Sequence, residues 1–306
     1  MSILSKPYFH DVTKAYEHLE AVLWPDGPIC PHCGVIGRST KLQGKATRPG
    51  LYKCNDCRKQ HRVTVGTVFE SAHIPLPKML QAVYLMSASK KGVSAHQMHR
   101  TLEITYKSAW FLCHRIREAM RDGKLTPMGG AGRTIEIDET IYGKLEEAPK
   151  HISRGGNQFR NIVMTLVERG GPARSFHIDG TTLGTLVPII RANINRETAL
   201  MTDEASWYKP IGREFASHEA VIHTAKEYVR GNVTTNTVEG YFSLFKRGMK
   251  GIYQHCSEKH LHRYLAEFDF RCSHRVALGV NDGERAVKAM KGIQGKRLTY
   301  RQPASA

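Results

Sequence analysis

Two pairs of closely spaced cysteines near the N-terminus constrain this chain more than any other feature of its sequence. Cys30 and Cys33 form one Cys-x-x-Cys pair, Cys54 and Cys57 form the other, and a basic segment with several glycines separates them. Each pair lets two thiolates reach one metal ion from a tight turn, and two pairs supply the four sulfur ligands of a structural Zn²⁺ site. The total of seven cysteines is odd, which argues against a framework of disulfides. The spacing therefore predicts a zinc ribbon over about residues 27–65.

The chain carries a large excess of positive charge. It has 45 Lys and Arg against 28 Asp and Glu, for a formal net charge of +17 and a pI of about 9.6. Such an excess favours a polyanionic partner, because each phosphate that a protein neutralises releases condensed counterions. Charge alone does not distinguish DNA from RNA or from an anionic membrane. The basic residues of the ribbon are expected either to contact DNA or to lie on a solvated face beside a neighbouring domain.

The remaining composition is that of an ordinary globular protein. The chain has 306 residues, of which 41% are hydrophobic and 24% charged. This length allows two or three domains, at least one with a sizeable core. No apolar run approaches the roughly 18 residues that span a bilayer, and the N-terminal residues lack the apolar core of a signal peptide. We therefore expect a cytoplasmic protein.

A block of three short helices is predicted after the ribbon, over residues 74–125. Pro75 and Pro77 mark its start. Ser94 begins a Ser-x-x-Gln pattern typical of a capping box, and Thr105 stands where it can cap the third helix. The block is therefore predicted to consist of helices separated by short turns.

The third of these helices is predicted to have two different faces. Its apolar stripe contains Ala109, Leu112, Cys113, Ile116, Ala119 and Met120. Its polar stripe contains Lys107, Trp110, His114, Arg117 and Arg121. Three helices with a basic third one favour a helix-turn-helix that lays its last helix in the major groove. The alternative is a small packing bundle whose polar face is solvated, and the sequence leaves both open.

The sequence pattern changes to short strands after Thr126–Gly132, a segment whose composition is typical of a flexible linker. The predicted strands are Thr134–Tyr142, Asn161–Glu168, Ala173–Ile178, Ala199–Thr202 and Ala220–His223. Helices are predicted from Thr182 to about Asn193 and from Thr234 onward, the latter capped by Thr235 or Asn236. This order predicts an α/β domain of the ribonuclease-H-like fold, with a mixed five-stranded sheet and helices.

Four regions follow from these changes of pattern. They are an N-terminal region that contains the zinc ribbon (1–73), a helix-turn-helix-like DNA-binding segment (74–125), a ribonuclease-H-like domain (133–275) and a basic C-terminal tail (276–306).

Three acidic residues of the ribonuclease-H-like domain are the candidate catalytic residues. Asp138 lies in the middle of the first strand, Asp203 follows the fourth strand, and Glu239 lies near the start of the last predicted helix. Carboxylates alone can hold hard divalent cations such as Mg²⁺. Two such ions can activate an attacking oxygen and stabilise a leaving oxygen at one phosphodiester. The three acids therefore indicate phosphoryl transfer on nucleic acid without a covalent enzyme intermediate.

The helix that carries Glu239 also carries polar residues on the same face. Asn236, Glu239, Ser243 and Lys246 follow a 3-4-3 spacing, which brings them to one side of a helix. Lys246 is expected to lie beside the substrate backbone, and the neighbouring Arg247 is a further candidate for DNA contact.

Several other acids compete for the catalytic roles on the residues alone. Glu136, Glu139, Asp179 and Glu204 all lie close in sequence to the chosen ones. Glu139 is expected to point to the opposite face of its strand from Asp138, and Asp179, which precedes a glycine, is interpreted as a turn residue. Without further information, the choice among these acids stays open.

Longer motifs in this sequence resemble those of bacterial DDE transposases. The runs that carry the resemblance are Ile135–Thr140, Thr202–Glu204, Glu227–Gly231, Thr235–Gly248 and His260–Arg271. Specifically, they are similar to the zinc-ribbon insertion-sequence transposases of family fifteen ninety-five. The likeness extends over ribbon, helical segment and catalytic domain in that order. Some members of that family have Asn where this chain has Glu239, so the glutamate favours a complete acidic triad.

The resemblance implies specific roles for residues and cofactors. Asp138, Asp203 and Glu239 would bind two Mg²⁺ or Mn²⁺ ions, and Lys246 would hold a phosphate near the cut. Asn236 and His223 are expected either to contact DNA or to have structural roles. Double-stranded DNA would be the partner, both as terminal inverted repeats and as target. The protein would act in the bacterial cytoplasm, associated with the nucleoid when bound to DNA, as a homodimer or larger assembly.

Two rival functions remain at this stage. A metal-dependent nuclease of the same fold would cleave DNA without joining strands. A non-catalytic DNA-binding regulator derived from a transposase would bind DNA without metal-dependent cleavage.

Overall fold

The computed structural model of the protein describes residues 2–123, 126–149, 151, 157–225 and 227–299. The chain forms two compact units. The first contains Met1–Arg121 together with Asn281–Ala306, and the second contains Asp122–Val280. The ribbon and helical regions that the sequence analysis separates thus belong to one unit.

The N-terminal part of the first unit is a helix followed by a small sheet. Helix α1 (Val12–Leu23) comes after two short 3₁₀ turns, and strands β1 (Ser39–Lys41), β2 (Tyr52–Cys54) and β3 (Gln60–His61) pair antiparallel in that order. Glu20 attaches the helix to the sheet, because its carboxylate accepts hydrogen bonds from Tyr52 Oη (2.9 Å) and Lys41 Nζ (3.1 Å).

Three helices follow, as the sequence predicts. They are α2 (Leu76–Ala88), α3 (Ala95–Leu102) and α4 (Tyr106–Met120). The hydroxyl of Ser94 accepts a hydrogen bond from the backbone N–H of Gln97, and the hydroxyl of Thr105 accepts one from Ser108. Both predicted caps are therefore confirmed, since each satisfies an N–H group that has no partner within its helix.

The second unit is built on a mixed five-stranded sheet. Its strands are β4 (Thr134–Tyr142), β5 (Asn161–Glu168), β6 (Ala173–Ile178), β7 (Ala199–Thr202) and β8 (Ser217–Ala220). Their spatial order is β6-β5-β4-β7-β8, with antiparallel pairing from β6 to β4 and parallel pairing from β4 to β8. The first four strands have the bounds that the sequence predicts, so the α/β class and the mixed sheet are confirmed.

The fifth strand begins and ends earlier than the sequence prediction of Ala220–His223. It covers Ser217–Ala220, because its partner β7 ends at Thr202 and the register pairs Thr202 with Ala220. Val221 makes one more backbone hydrogen bond, to Thr202 O (3.1 Å), and the chain then turns into a short 3₁₀ helix, His223–Ala225. The apolar residues after Ala220 therefore have no neighbouring strand to pair with.

Helices cover both faces of the sheet. They are α5 (Leu183–Asn193), α6 (Tyr208–Gly212), α7 (Asn236–Gly248) and α8 (Glu258–Ser273), and a hairpin of β9 (Val229–Arg230) and β10 (Val233–Thr234) precedes α7. Ile135 and Ile137 of β4 lie in one apolar cluster with α5 and α6. Val163 and Val167 of β5 lie in a second cluster with α7 and α8. The sheet is thus the middle of three layers.

The segment Thr126–Gly132 is not the flexible linker that its composition suggests. Met128 is buried and forms a parallel bridge with Ile194. The backbone N–H of Gly129 donates to Glu168 (3.1 Å), and that of Gly130 donates to the hydroxyl of Thr198 (2.9 Å). The segment is therefore packed into the second unit, and its glycines provide the positive φ angles that this path requires.

The C-terminal region returns to the first unit. Helix α9 (Asp282–Lys291) lies where the sequence analysis assigns a basic tail, and its Ala286, Ala289 and Met290 are buried. Arg285 donates to the carbonyl of Ser87 at the end of α2 (2.9 Å). Lys296 Nζ donates to the carbonyls of Glu118 (3.0 Å) and Ala119 (3.2 Å) in the last turn of α4. Residues 300–306 of the predicted tail lie outside the described residues.

Within the described parts of the chain, no helix is both long and apolar enough to cross a membrane.

Packing of α9 against α4 predicts a specific steric effect. A Cβ atom built on Gly292 would lie 2.2 Å from the carbonyl oxygen of Ala119. We expect Gly292→Ala to lower the free energy of unfolding of the first unit by about 1–3 kcal/mol, because one of the two backbones must move. Hydrogen exchange of the α4 and α9 amides measures this change. Gly251→Ala is the control, since its Cβ meets nothing within 4 Å. Equal exchange in both variants would contradict the packing.

Candidate functional site

The four cysteines of the ribbon converge on one point. Their sulfur atoms all lie within 4.8 Å of one another, and the distances Cys30 Sγ–Cys57 Sγ and Cys33 Sγ–Cys54 Sγ are both 3.7 Å. Sulfur atoms about 2.3 Å from a tetrahedral Zn²⁺ are separated by about 3.8 Å, so the cluster has the dimensions of a zinc site. The backbone N–H of Cys57 contributes most to lowering the pKa of Cys54, to about 6. At Cys33 a backbone hydrogen bond of Val35 opposes the shift, but burial and hydrogen bonds with the other three cysteines together raise the pKa.

Two histidines near the cysteines support the ribbon without joining the cluster. His61 is buried, and its Nε2 forms a hydrogen bond of 2.9 Å with Ser39 Oγ across the sheet. His32 is exposed and its Nε2 lies 3.3 Å from the carbonyl of Gln60. The structure thus leaves the four cysteines as the ligands of the predicted zinc site.

The three candidate catalytic acids lie near one another in the second unit. Asp138 lies on the central strand β4, and Asp203 directly follows its parallel neighbour β7. The register pairs Glu136 with Met201, so two residues further along each chain Asp203 reaches the level of Asp138. Glu239 lies in the first turn of α7, which packs on the same face of the sheet as the Asp138 side chain. Three different elements therefore supply the three carboxylates.

Electrostatics indicate that these three acids are neighbours. The pKa of Asp138 is raised to about 7, chiefly by burial, and a hydrogen bond from the backbone N–H of Glu139 (2.7 Å) opposes the shift. The negative charges of Asp203 and Glu239 raise this pKa further, and nearby His223 lowers it. Apart from the cysteines, no three His, Cys, Asp or Glu side chains of the described residues bring ligand atoms within 4.8 Å of one another. The carboxylates thus interact without being in mutual contact.

Local hydrogen bonds orient the other two acids as well. Asp203 Oδ1 accepts from the backbone N–H of Ala205 (3.1 Å), which fixes the turn after β7. Glu239 Oε1 accepts from the hydroxyl of Thr235 (2.8 Å) one turn earlier. Thr235 is the N-cap residue of α7, as the sequence allows, but its hydroxyl makes no capping hydrogen bond. It holds the glutamate instead.

The competing acids have other partners. Glu139 points to the opposite face from Asp138, as predicted, and accepts a short hydrogen bond from the Tyr208 hydroxyl. Glu204 accepts hydrogen bonds from the backbone N–H and hydroxyl of Thr224 (3.2 Å each). Asp179 is exposed in the bend after β6. None of these three therefore displaces Asp138, Asp203 or Glu239 as a candidate.

Glu136 has a role that the sequence analysis misses. Its side chain is fully buried, and it accepts hydrogen bonds from the backbone N–H groups of Thr237 (2.7 Å) and Val238 (3.0 Å) at the start of α7. Its spacing of two residues from Asp138 on a strand is the signal that could have revealed it, because such residues share a face.

The polar stripe of α7 is arranged as predicted. Asn236, Glu239 and Ser243 are exposed, Lys246 is half-buried, and Arg247 is exposed with its Nε donating to Ser243 O (3.0 Å). The opposite side of the helix buries Val238, Tyr241, Phe242 and Phe245. Helix α7 thus presents one acidic and two basic side chains away from the core.

Tyr208 is a core residue, whereas Trp207 is half-buried. Tyr208 is buried in the cluster beneath α5 and α6, where its hydroxyl binds Glu139. Trp207 packs against the same cluster. Core packing therefore accounts for both aromatic residues that follow Asp203.

The predicted DNA-contacting stripe of α4 needs a correction. Lys107 and Arg121 are exposed and Trp110 is half-buried, but His114 and Arg117 are 1% and 2% exposed. Both of these side chains are thus inside the protein, because more of the circumference of α4 is covered than its amphipathic pattern indicates. The apolar stripe of α4 is buried as predicted.

Comparisons with known proteins agree with this arrangement. Residues 129–273 match the ISXO2-like transposase domain, and residues 13–60 match the transposase zinc-ribbon domain. A Halobacterium salinarum protein described as an uncharacterized protein in transposable element ISH50 is 26% identical over 272 residues, or 84% of this chain and 90% of the relative. Fold, zinc ribbon and matches together define the class of insertion-sequence transposases. Both matched domain models are those of family IS1595, the fifteen ninety-five family that the motifs of this sequence resemble, and together they cover most of the chain.

The cysteine geometry predicts the effect of removing one ligand. We expect Cys54→Ser to release stoichiometric zinc and to lower the stability of the ribbon, because the site then has three sulfur ligands and a buried hydroxyl. Metal analysis of purified protein and circular dichroism measure the two effects. The control is Cys256→Ser, which changes a cysteine outside the cluster. Full zinc content in Cys54→Ser would refute the four-cysteine site.

Proposed function

We propose that the protein binds the terminal inverted repeats of its insertion sequence, cleaves DNA there and joins the freed 3′-hydroxyl to target DNA. The family membership supports the transposase role. The observation that carries the chemistry is that Asp138 on β4, Asp203 after its parallel neighbour β7 and Glu239 in the first turn of α7 lie close enough for their charges to interact. A metal-dependent phosphoryl-transfer site requires several carboxylates close together, and here three secondary-structure elements supply three carboxylates whose charges interact.

We also propose that the catalytic domain has the ribonuclease-H-like fold. The support is the order β6-β5-β4-β7-β8, in which three antiparallel strands continue into two parallel ones. The acids lie on the central strand, after its parallel neighbour and on the helix that packs against them.

The donor set fits two Mg²⁺ or Mn²⁺ ions. It consists of carboxylate oxygens, which hard divalent cations prefer, and its negative charges repel one another. Asp138, Asp203 and Glu239 would hold these ions. When bound, two such ions lower the pKa of an attacking water or 3′-hydroxyl and stabilise charge on the leaving oxygen.

The chain's own residues position the DNA for this reaction. Lys246 lies on the same face of α7 as Glu239, about two turns away, so its ammonium group can neutralise a backbone phosphate beside the acids. Asn236 and Arg247 extend the polar surface of α7 on either side. His223 is close enough to lower the pKa of Asp138. We assign His223 to the DNA-facing side of the site. Positioning of this kind contributes to rate by aligning the attacking and leaving oxygens.

The first unit is proposed to bind the element ends. Its basic zinc ribbon and helices α2, α3 and α4 form the proposed DNA-binding region, and the helix-turn-helix interpretation rests on the capped α3 and α4. Because His114 and Arg117 are buried, we propose Lys107, Trp110 and Arg121 as the DNA-contacting residues of α4. Two element ends must be brought together, so we propose a homodimer or larger assembly on DNA.

The proposed reaction predicts which variants lose activity. Asp203→Asn, Asp138→Asn and Glu239→Gln should each abolish strand cleavage in Mg²⁺ or Mn²⁺ and leave binding of the inverted repeats nearly unchanged. The reason is that each change removes a charged metal ligand without altering the DNA-binding unit. Cleavage and joining are measured on DNA that carries the repeats flanking the gene.

The exposed Asp179→Asn is the matched control, since it changes an acid of the same domain outside the site. Joined product from the wild type and this control, but not from the triad variants, would support the proposal. Cleavage without joining by the wild type would favour a nuclease. Binding with neither activity would favour a non-catalytic regulator.

The proposed DNA contact of α4 is tested by salt dependence. We expect Lys107→Ala to weaken binding of the inverted repeats and to reduce the slope of log affinity against log salt by about 1, because one phosphate contact is lost. Fluorescence anisotropy at several salt concentrations measures the slope. Lys14→Ala removes a cation already paired with Glu17 (2.9 Å) and should leave the slope unchanged. An unaltered slope in Lys107→Ala would exclude this contact.

A further inference from the structure

The buried carboxylate of Glu136 accepts hydrogen bonds from the first turn of helix α7. Its Oε2 accepts hydrogen bonds from the backbone N–H groups of Thr237 (2.7 Å) and Val238 (3.0 Å), and its Oε1 accepts one from the Thr237 hydroxyl (2.8 Å). These backbone groups belong to the first turn of a helix, where N–H groups have no partner within the helix. A negative charge at this end is also favoured by the helix dipole. Glu136 thus caps α7 from a strand about a hundred residues earlier in the chain.

Arg169 attaches the chain that leads into α7 to the same carboxylate. Its Nε donates to Glu136 Oε1 (2.7 Å), and its two terminal nitrogens donate to the carbonyls of Asn232 (2.7 Å) and Thr234 (2.8 Å). The planar guanidinium can make these three bonds at once, which a lysine cannot. Strand β10 and the start of α7 are therefore both held against β4 and β5.

These contacts join the elements that carry two of the proposed catalytic acids. Glu136 and Asp138 are two residues apart on β4, so their side chains share one face of the sheet. Glu239 directly follows Val238, whose N–H binds Glu136. Because Glu136 caps the helix, the hydroxyl of Thr235 is available to hold Glu239. The distance between Asp138 and Glu239 is thus set through a short chain of hydrogen bonds.

We propose that Glu136, held by Arg169, is a positioning residue that sets the place of Glu239 relative to Asp138 and thereby the affinity of the acidic site for divalent metal. This inference rests on the proposed function of Asp138, Asp203 and Glu239. Glu136 itself is fully buried and its carboxylate faces α7 and Arg169, so its proposed effect on the metal is indirect. Groups that orient metal ligands typically change metal affinity about 10–100-fold when they are replaced.

The experiment is a titration of the full-length protein with Mn²⁺ alone, in which the electron paramagnetic resonance signal of free Mn²⁺ reports binding. Glu136→Gln keeps the size of the side chain but presents an NH₂ group to donors that need an acceptor. We expect it to weaken Mn²⁺ binding about tenfold or more. Arg169→Lys, which keeps the charge but not the three bonds, should give a smaller loss and replaces Glu136→Gln if that variant does not fold.

Glu267→Gln is the matched control. Glu267 is also fully buried and pairs with Arg271 and Tyr253, but it lies on α8 rather than on the strand that carries Asp138. It should lose thermal stability and keep Mn²⁺ affinity within about twofold. An equal loss of affinity in both variants would attribute the effect to general destabilisation and overturn the inference.

Asp203→Asn separates this inference from the proposed function. If Asp203→Asn loses Mn²⁺ binding but Glu136→Gln and Arg169→Lys do not, the positioning role is wrong and the acidic site stands. If Asp203→Asn binds Mn²⁺ as the wild type does, the proposed metal site is wrong and the inference fails with it.

Discussion

The hydrogen bonds between Glu136 and the first turn of α7 hold together the part of the molecule on which its proposed chemistry depends. A buried carboxylate is costly unless its oxygens are satisfied, and buried N–H groups at a helix start are costly unless they find an acceptor. Here each group meets the need of the other, and Arg169 supplies the opposite charge. These paired requirements fix the position at which α7 begins, because its first turn must lie against Glu136 on β4. Glu239 is one residue beyond that contact.

Strand β4 serves the core and the site at once because its side chains alternate. Ile135 and Ile137 enter the apolar cluster beneath α5 and α6, whereas Glu136 and Asp138 face the side covered by α7. The central position of β4 also gives Asp138 a parallel neighbour, β7, which Asp203 directly follows. Burial next to two other acids raises the pKa of Asp138 to about 7. A site of this kind favours a bound cation, since a cation offsets the repulsion that the fold imposes.

The first unit depends on both ends of the chain. Helix α9 packs with the helices near the N-terminus, and residues beyond it continue the contact, since Ile293 O accepts from Val68 N (3.1 Å) and Gly295 N donates to Gly66 O (2.9 Å). Lys296 donates to two carbonyls in the last turn of α4. The proposed DNA-binding unit is thus discontinuous in sequence, with the transposase domain between its two parts.

Local signals in the sequence determined much of this protein. Alternating apolar residues predicted four strands with their bounds, Ser94 and Thr105 predicted two helix caps, and the paired cysteines predicted the metal cluster. Each of these depends on residues that are near in the chain or on ligand chemistry. Tertiary structure alone decided the rest: the cap of α7 by Glu136, the burial of His114 and Arg117, the early end of β8 and the return of α9. The physical reason is that a partner distant in sequence decides whether a polar group is buried, paired or exposed, and periodicity does not identify that partner.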